Sequence, residues 1–134
     1  MTALAHQPAA AIQAVRALES ALLASHQVHV PIEHSLHAGL YARTARIPAG
    51  VAVTGAEIKV ATVLVLSGDA TVYTGDGEIR LTGYHVIEAS AGRKSAFLAH
   101  ADTALTMLFA SQARSVDEAE REFTDEFDAL ASRR

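Results

Sequence analysis

The sequence predicts a mainly β domain, a barrel or a sandwich, with one α-helix before the strands and another after them. The 134-residue chain is 50% hydrophobic and 19% charged, which is enough apolar material for one packed core. Between residues 38 and 111, short runs of strand length alternate with glycine-bearing turns. We therefore predict a single domain over residues 1–134, with helices at 9–25 and 116–131 around a barrel at 38–111.

The N-terminal helix is predicted from the spacing of its apolar residues. They recur every three or four positions and are separated by polar side chains, as in an amphipathic helix. The apolar set is Ile12, Val15, Leu18, Leu22 and Leu23. Pro31 then favours an extended passage that leads into the first β-type run, residues 40–47.

Seven further runs with strand character follow. They lie at residues 51–53, 57–66, 70–74, 78–81, 84–89, 95–99 and 103–110. Turns are predicted between them, among others at Ser67-Gly68-Asp69 and at Gly83. Around Gly75-Asp76-Gly77, apolar and polar residues alternate on both sides, which predicts a hairpin with its turn at these residues.

The C-terminal helix is predicted to begin at Ser115. Glu118 stands three residues later, the spacing at which two side chains satisfy each other's backbone N–H groups at a helix start. Apolar residues then form one stripe, and most of the remaining positions are acidic. The stripe consists of Val116, Ala119, Phe123, Phe127 and Leu130.

Charge and composition exclude several classes of function. The net charge is −4 and the basic residues are scattered, so no surface for nucleic acid is predicted. With no cysteine, the chain has neither disulfides nor a thiol nucleophile. The N-terminus lacks the pattern of a secretion signal, and the longest apolar run is too short to cross a bilayer. We expect a cytoplasmic protein without a membrane partner.

Several short motifs carry a resemblance to a known superfamily. Residues 68–83, with the Asp76-Gly77 turn, resemble the central hairpin of cupins, and Ser90-Ala91-Gly92 lies where cupins usually have a Pro-x-Gly turn. A narrower resemblance over residues 34–130 is to small cupin-like proteins encoded by bacteriophages and prophages. It rests on His34, Gly39-Leu40-Tyr41-Ala42-Arg43, Ile47-Pro48-Ala49-Gly50, Thr54-Gly55, Ser67-Gly68-Asp69, Ala99-His100-Ala101-Asp102-Thr103 and the acidic last helix.

This resemblance implies a jelly-roll barrel working in the cytoplasm of a bacterial host or in association with a virion. Cupins commonly bind a metal through histidines, and the phage group often has a His-x-x-x-His pattern after its Thr-Gly pair. The matching positions here are Ile58 and Thr62. Independently, alternation along this run predicts that Glu57 and Lys59 face outward and that an apolar set faces inward. We therefore predict that the metal site is lost and that there is no cofactor.

Histidines elsewhere offer weaker candidates. His26, His29, His34 and His37 form a loose group, which we interpret as solvated or hydrogen-bonded rather than as a zinc site. His85 and His100 lie near the ends of predicted strands, where they could line the barrel mouth. No catalytic residue is assigned. The predicted ligand-pocket residues are Ile58, Thr62, Tyr84, His85 and His100.

Two functions remain open at this point. The first is a non-catalytic, phage-encoded binding protein, a homodimer that binds a small ligand in the barrel or a protein of the virion or host. The second is a metal-dependent or acid–base enzyme acting on a small molecule at the barrel mouth. It would use His85, His100 and either Glu57 or Glu88 if the strand register is shifted by one residue.

Overall fold

The computed structural model describes residues 3–130 and contains an eight-stranded sheet, antiparallel except for one short parallel pair of strands, together with two α-helices. The predicted mainly β architecture is confirmed. In chain order the elements are β1 Ala3–Leu4, α1 Ala9–Leu23, β2 Ile32–His37, β3 Leu40–Ile47, β4 Ala52–Thr54, β5 Thr62–Tyr73, β6 Glu78–Ala89, β7 Ala96–Ala99, β8 Thr103–Ala110, α2 Val116–Phe123 and a 3₁₀ turn at Phe127–Ala129. Neither helix within residues 3–130 is long and apolar enough to cross a membrane.

Strand β5 is shared between the two walls of the barrel. The main ladder runs β1-β6-β5-β8-β3-β2, and β7 pairs with both β4 and β5. Residues 63–67 of β5 pair with β8, whereas residues 70–73 pair with β7. The sheet therefore folds over along β5 between these two halves, and its concave side becomes the interior.

Glycines make this fold-over possible without interrupting the ladder. Gly68 lies directly opposite Gly83, and both have positive φ angles, 149° and 86°. A Cβ on Gly68 would overlap the Thr103 hydroxyl. The sequence-based expectation of chain breaks at residues 67–69 and at Gly83 was wrong. The strands bend there, and each of the predicted pairs of short strands is one strand of 12 residues.

The hairpin turn at Gly75-Asp76-Gly77 is confirmed, and it contacts the N-terminal helix. Its strands pair without a gap from Tyr73 and Glu78 onward. Gly75 has a φ of 86°, and a Cβ there would overlap the carbonyl oxygen of Ala11 in α1. The absence of a side chain thus serves both the turn and the close approach of the helix.

The sheet starts earlier than the sequence predicts. Strand β2 pairs with β3 over all six of its residues, so the barrel begins at Ile32 rather than at residue 38. Strand β2 has no alternation of buried and exposed side chains, and pairing alone gives it strand character. The N-terminal helix α1 ends at Leu23, two residues before its predicted end at residue 25.

The C-terminal helix begins as predicted but is half the expected length. Ser115 Oγ accepts a hydrogen bond from the Glu118 N–H at 3.2 Å, which confirms the cap. The helix ends at Phe123, because Thr124 is extended and its hydroxyl donates to the Glu57 carbonyl at 2.8 Å. The predicted helix over 116–131 is therefore corrected to 116–123, and residue 131 lies outside the described residues.

Candidate ligand cavity

The barrel contains a cavity of about 740 Å³ that is partly open to solvent. Alternate residues of neighbouring strands point into it, as the period of a β-strand requires. These include Ala45 and Ile47 of β3, Leu64 of β5, and Leu105 and Met107 of β8. The wall is therefore mainly hydrocarbon, and the volume lies within the range usual for small-molecule sites.

One side of the cavity is closed by the end of α1 and by the irregular segment 25–30. Gln27 holds this segment against the helix, since its Nε2 donates to the carbonyls of Leu22 and Ser25 at 2.8 and 2.9 Å. His26 and His29 lie in this segment at the cavity edge and are exposed.

The other two histidines of that group are placed apart from the cavity, on β2. His34 Nδ1 lies 2.7 Å from the Tyr41 hydroxyl oxygen, and the two rings are stacked. His37 is exposed. The described residues contain no group of three or more His, Cys, Asp or Glu side chains that could hold a metal ion.

Arg93 is a buried cation in the cavity wall. Its Nη2 donates to the Thr62 hydroxyl at 2.6 Å, and its Nη1 donates to the carbonyls of Ser90 and Val60 at 2.7 and 3.5 Å. All three acceptors are neutral. Burial lowers the pKa of Arg93 to about 10, so the guanidinium still carries its charge at neutral pH.

Ser95 lies two residues further along the same extended segment and also lines the cavity. It is buried, and its hydroxyl has no hydrogen-bond partner among residues 3–130. Buried polar atoms are nearly always paired in folded proteins. An unpaired hydroxyl beside an uncompensated cation is therefore the chemically unusual part of this wall.

Lys94, between them, is paired with two carboxylates, and both of these glutamates line the cavity. Its Nζ is buried and lies 3.1 Å from the carboxylates of both Glu19 and Glu126. Arg16 Nη1 lies 2.9 Å from Glu126. Burial raises the pKa of Glu126, but the hydrogen bonds and charges of Lys94 and Arg16 outweigh it, so this pKa is below its usual value. These ion pairs fasten α1 and the C-terminal segment to the barrel.

Arg43, the remaining arginine of the cavity wall, also has a carboxylate partner. Its Nη1 lies 2.9 Å from Glu120 of α2, whose side chain is fully buried. Arg93 thus differs from both other buried or half-buried cations near the cavity in having only neutral acceptors among the described residues.

The residues predicted to form the pocket are not brought together. Ile58 lines the cavity, and Thr62 is buried where it accepts the hydrogen bond from Arg93. Tyr84 is 70% exposed. His85 Nε2 lies 2.8 Å from the Thr82 carbonyl oxygen, and His100 Nε2 lies 2.7 Å from the Thr71 hydroxyl. The placement of these last three in the pocket is corrected.

The physical reason is the bend in the barrel hairpin. Because Gly83 and Gly68 let the strands turn at their middle, the residues next to the bend lie on the outer surface rather than at a mouth. Arg93 and Ser95, which do line the cavity, were not predicted from the sequence. The available signal was the polar run Arg93-Lys94-Ser95 directly before the apolar strand β7.

The residues of the enzyme alternative also lie apart. Glu57 does not line the cavity and forms an ion pair with Arg16 at 3.7 Å, and Glu88 is an exposed residue of β6. At the positions that match the histidines of the resembling proteins, Ile58 offers no donor, and Thr62 already accepts from a cation. This donor set does not fit a transition-metal ion.

The comparison with known proteins identifies the architecture. No protein-family model matches the sequence, and no curated protein matches it either. Among solved structures, a cupin superfamily protein from Desulfitobacterium hafniense superposes with a TM-score of 0.52 at 14% identity, over 84% of this chain and 97% of that one. The chain has a cupin fold.

Two further structures agree with this cupin fold. KdgF from a Halomonas species aligns with a TM-score of 0.51 and 15% identity, over 66% of this chain and 86% of that one. The Cupin_2 domain of an XRE family transcriptional regulator from Enterobacter cloacae aligns with a TM-score of 0.50 and 5% identity, over 63% of this chain and 100% of that one. Identities this low speak for the fold alone, and function has to be argued from the cavity.

Proposed function

We propose that this cupin-fold protein is a non-catalytic binding protein that holds a small, mainly apolar molecule inside its barrel. The observation that carries the proposal is the cavity of about 740 Å³ with its mainly hydrocarbon wall. Burying apolar surface of a ligand against such a wall is favourable by about 25 cal/mol per Å². The cavity is therefore a better place for an apolar molecule than for an ordered cluster of water.

A neutral fluorescent probe, N-phenylnaphthylamine, tests this proposal directly. We expect saturable binding with a blue-shifted emission, and displacement by decanol. Ala45 points into the cavity from β3, so Ala45→Phe should fill part of it and abolish or strongly weaken binding. Ala110→Phe at the exposed end of β8 is the matched control and should bind normally. Absence of saturable binding to the unmodified protein would overturn the proposal.

The non-catalytic part of the proposal is supported by the separation of the acid–base candidates. His85 and His100 hydrogen-bond to Thr82 and Thr71, outside the cavity. Elemental analysis of freshly purified protein is the test. We expect less than stoichiometric transition metal. A near-stoichiometric metal that is lost in His85→Ala or His100→Ala would support the enzyme alternative instead.

The proposal includes a homodimer, supported by an exposed apolar face on the outside of β5 and β6. Val65 and Val86 are directly opposite in the ladder, and Val63 and Tyr84 extend the patch on either side. Val63, Val86 and Tyr84 are 41%, 42% and 70% exposed. Native mass spectrometry should show a dimer that Val86→Lys converts to a monomer, whereas Thr82→Lys, further along β6, leaves it intact. A monomeric unmodified protein would remove this part.

The proposal further states that the protein is encoded by a phage and acts in the cytoplasm of the bacterial host. This part rests on the sequence resemblance over residues 34–130. In this setting the bound molecule comes from the host cell, and a protein of the virion or host would be an additional partner. Mass spectrometry of purified virions would distinguish the host cytoplasm from the virion as the place of the protein. Detection at a fixed copy number would locate the protein in the particle.

A further inference from the structure

The mainly apolar cavity wall also contains charged and polar side chains, among them Glu19, Arg43, Arg93, Ser95 and Glu126. Arg93 is 3% exposed and Ser95 is 6% exposed. The Ser95 hydroxyl has no partner within residues 3–130. Residues two apart in an extended segment share a side, so Arg93 and Ser95 lie on the same side of this segment.

The hydrogen bonds of Arg93 leave a defined part of its guanidinium unused. Of the five N–H groups of an arginine, Nη1 uses two on the carbonyls of Ser90 and Val60, and Nη2 uses one on Thr62. The Nε–H and the second Nη2 N–H have no acceptor among the described residues. Arg80, on the outside of the barrel, uses these same two nitrogens to hold both oxygens of Asp69 at 2.9 and 2.8 Å.

The charge of Arg93 needs a counterion that the described chain does not provide. Arg43 is paired with Glu120, and Lys94 with Glu19 and Glu126, whereas Arg93 contacts only neutral oxygens. A buried charge is costly unless it is paired. A planar anion with two oxygens, such as a carboxylate, is the partner that a guanidinium binds most specifically.

We propose that the natural ligand is a monocarboxylate with an apolar body, whose carboxylate binds Arg93 and accepts a hydrogen bond from Ser95. This inference rests on the proposed function and names the chemical class of its ligand. The single negative charge of a carboxylate balances the one uncompensated cation. A phosphate dianion would leave one buried negative charge without a partner. The hydrocarbon part of the molecule occupies the apolar remainder of the cavity.

Three probes with the same chain and different head groups test the proposal by titration calorimetry: decanoate, decanol and decylamine. Unmodified protein should bind decanoate at least about tenfold more tightly than decanol, as expected for a charged hydrogen-bonded pair. Decylamine should bind most weakly, since its ammonium would face Arg93. Because this comparison uses only unmodified protein, its result does not depend on the folding of any variant.

Variants assign the preference to the two residues. Arg93→Met should bring decanoate binding down to the level of decanol. Ser95→Ala should weaken decanoate binding several-fold. Arg80→Met, which removes an exposed arginine from another ion pair, is the matched control and should preserve the preference.

The outcomes distinguish this inference from the function on which it rests. Equal affinity for decanoate and decanol, or a preference that persists in folded Arg93→Met, would overturn the carboxylate assignment while leaving an apolar ligand in place. Failure of all three probes and of N-phenylnaphthylamine to bind would overturn the proposed function and the assignment together.

Discussion

The Nη2 of Arg93 lies 2.6 Å from the hydroxyl oxygen of Thr62, inside the wall of a cupin barrel. By resemblance, Thr62 stands where the phage group often has a metal-binding histidine. A cation of the protein itself thus contacts this position, and it would repel a metal ion. The resembling proteins often hold a metal cation in the barrel. This barrel has a cation of its own there, Arg93, which attracts an anion.

The first prediction concerns the stability cost of this arrangement. Burial lowers the pKa of the Arg93 guanidinium to about 10, which corresponds to a cost of about 3 kcal/mol for keeping it charged in the folded state. Arg93→Met combined with Thr62→Val removes the charge together with its buried acceptor. Urea unfolding of the ligand-free protein should show a free energy of unfolding equal to that of the unmodified protein or up to about 3 kcal/mol higher.

The single variant Thr62→Val provides the contrast. It keeps the buried cation and removes one of its acceptors, so a loss of about 1–3 kcal/mol is expected. A double variant that is less stable than Thr62→Val would show that Arg93 stabilises the ligand-free fold, contrary to this prediction.

The second prediction separates two glycines of one turn. Gly75→Ala should lower the free energy of unfolding by about 2 kcal/mol or more, because the new Cβ meets the Ala11 carbonyl at a positive φ. Gly77→Ala should change it by less than about 0.5 kcal/mol, since open space surrounds Gly77. Chemical denaturation of both variants is the measurement. Equal effects would mean that α1 does not approach the turn in solution.

The third prediction is a stabilising change. Ala38 and Gly39 form the turn between β2 and β3 with φ angles of 54° and 71°, and Ala38 is the one non-glycine residue with positive φ in the described chain. Asparagine tolerates this conformation better than alanine. Ala38→Asn should therefore raise the free energy of unfolding by about 0.5–1 kcal/mol. Ala101→Asn, at an exposed site with negative φ, should produce no such gain.

The fourth prediction uses the dependence of stability on pH. The pKa of Glu126 is lower in the folded protein than its ordinary value of 4.5. Its ion pairs therefore stabilise the fold above pH 4.5, and this contribution is lost as the pH falls through the lower, folded pKa. Stability measured by urea unfolding should fall as the pH is lowered from neutral into this acidic range.

Lys94→Met tests the origin of that dependence. It leaves Glu19 and Glu126 without their buried cation, so the expected loss at neutral pH is about 3–5 kcal/mol. Part of this loss should be regained on acidification, because Glu126 can then take up a proton. Lys59→Met, in an exposed ion pair with Asp125, is the matched control and should cost less than about 1 kcal/mol. Parallel pH profiles for Lys94→Met and the unmodified protein would contradict the assignment.

By itself, the sequence determined the class of fold and the positions of its local signals. The Ser115 cap depends on residues three positions apart, and the Gly75-Asp76-Gly77 turn depends on adjacent residues, so both could be predicted. Neither the length of α2 nor the existence of β2 could be predicted, because each depends on hydrogen bonds to another segment of the chain. Thr124 leaves the helix to bond Glu57, and β2 is a strand only because β3 lies beside it.

The candidate site was decided by the tertiary structure. Gly68 and Gly83 read as turns in sequence, but they face each other and bend a continuous hairpin, which moves Tyr84 to the surface. Whether Arg93 has a counterion depends on which carboxylates lie near it in space, and those of Glu19, Glu120 and Glu126 are taken by other cations. Charged groups compensate each other through space over a few ångströms, and this distance cannot be inferred from their separation along the chain.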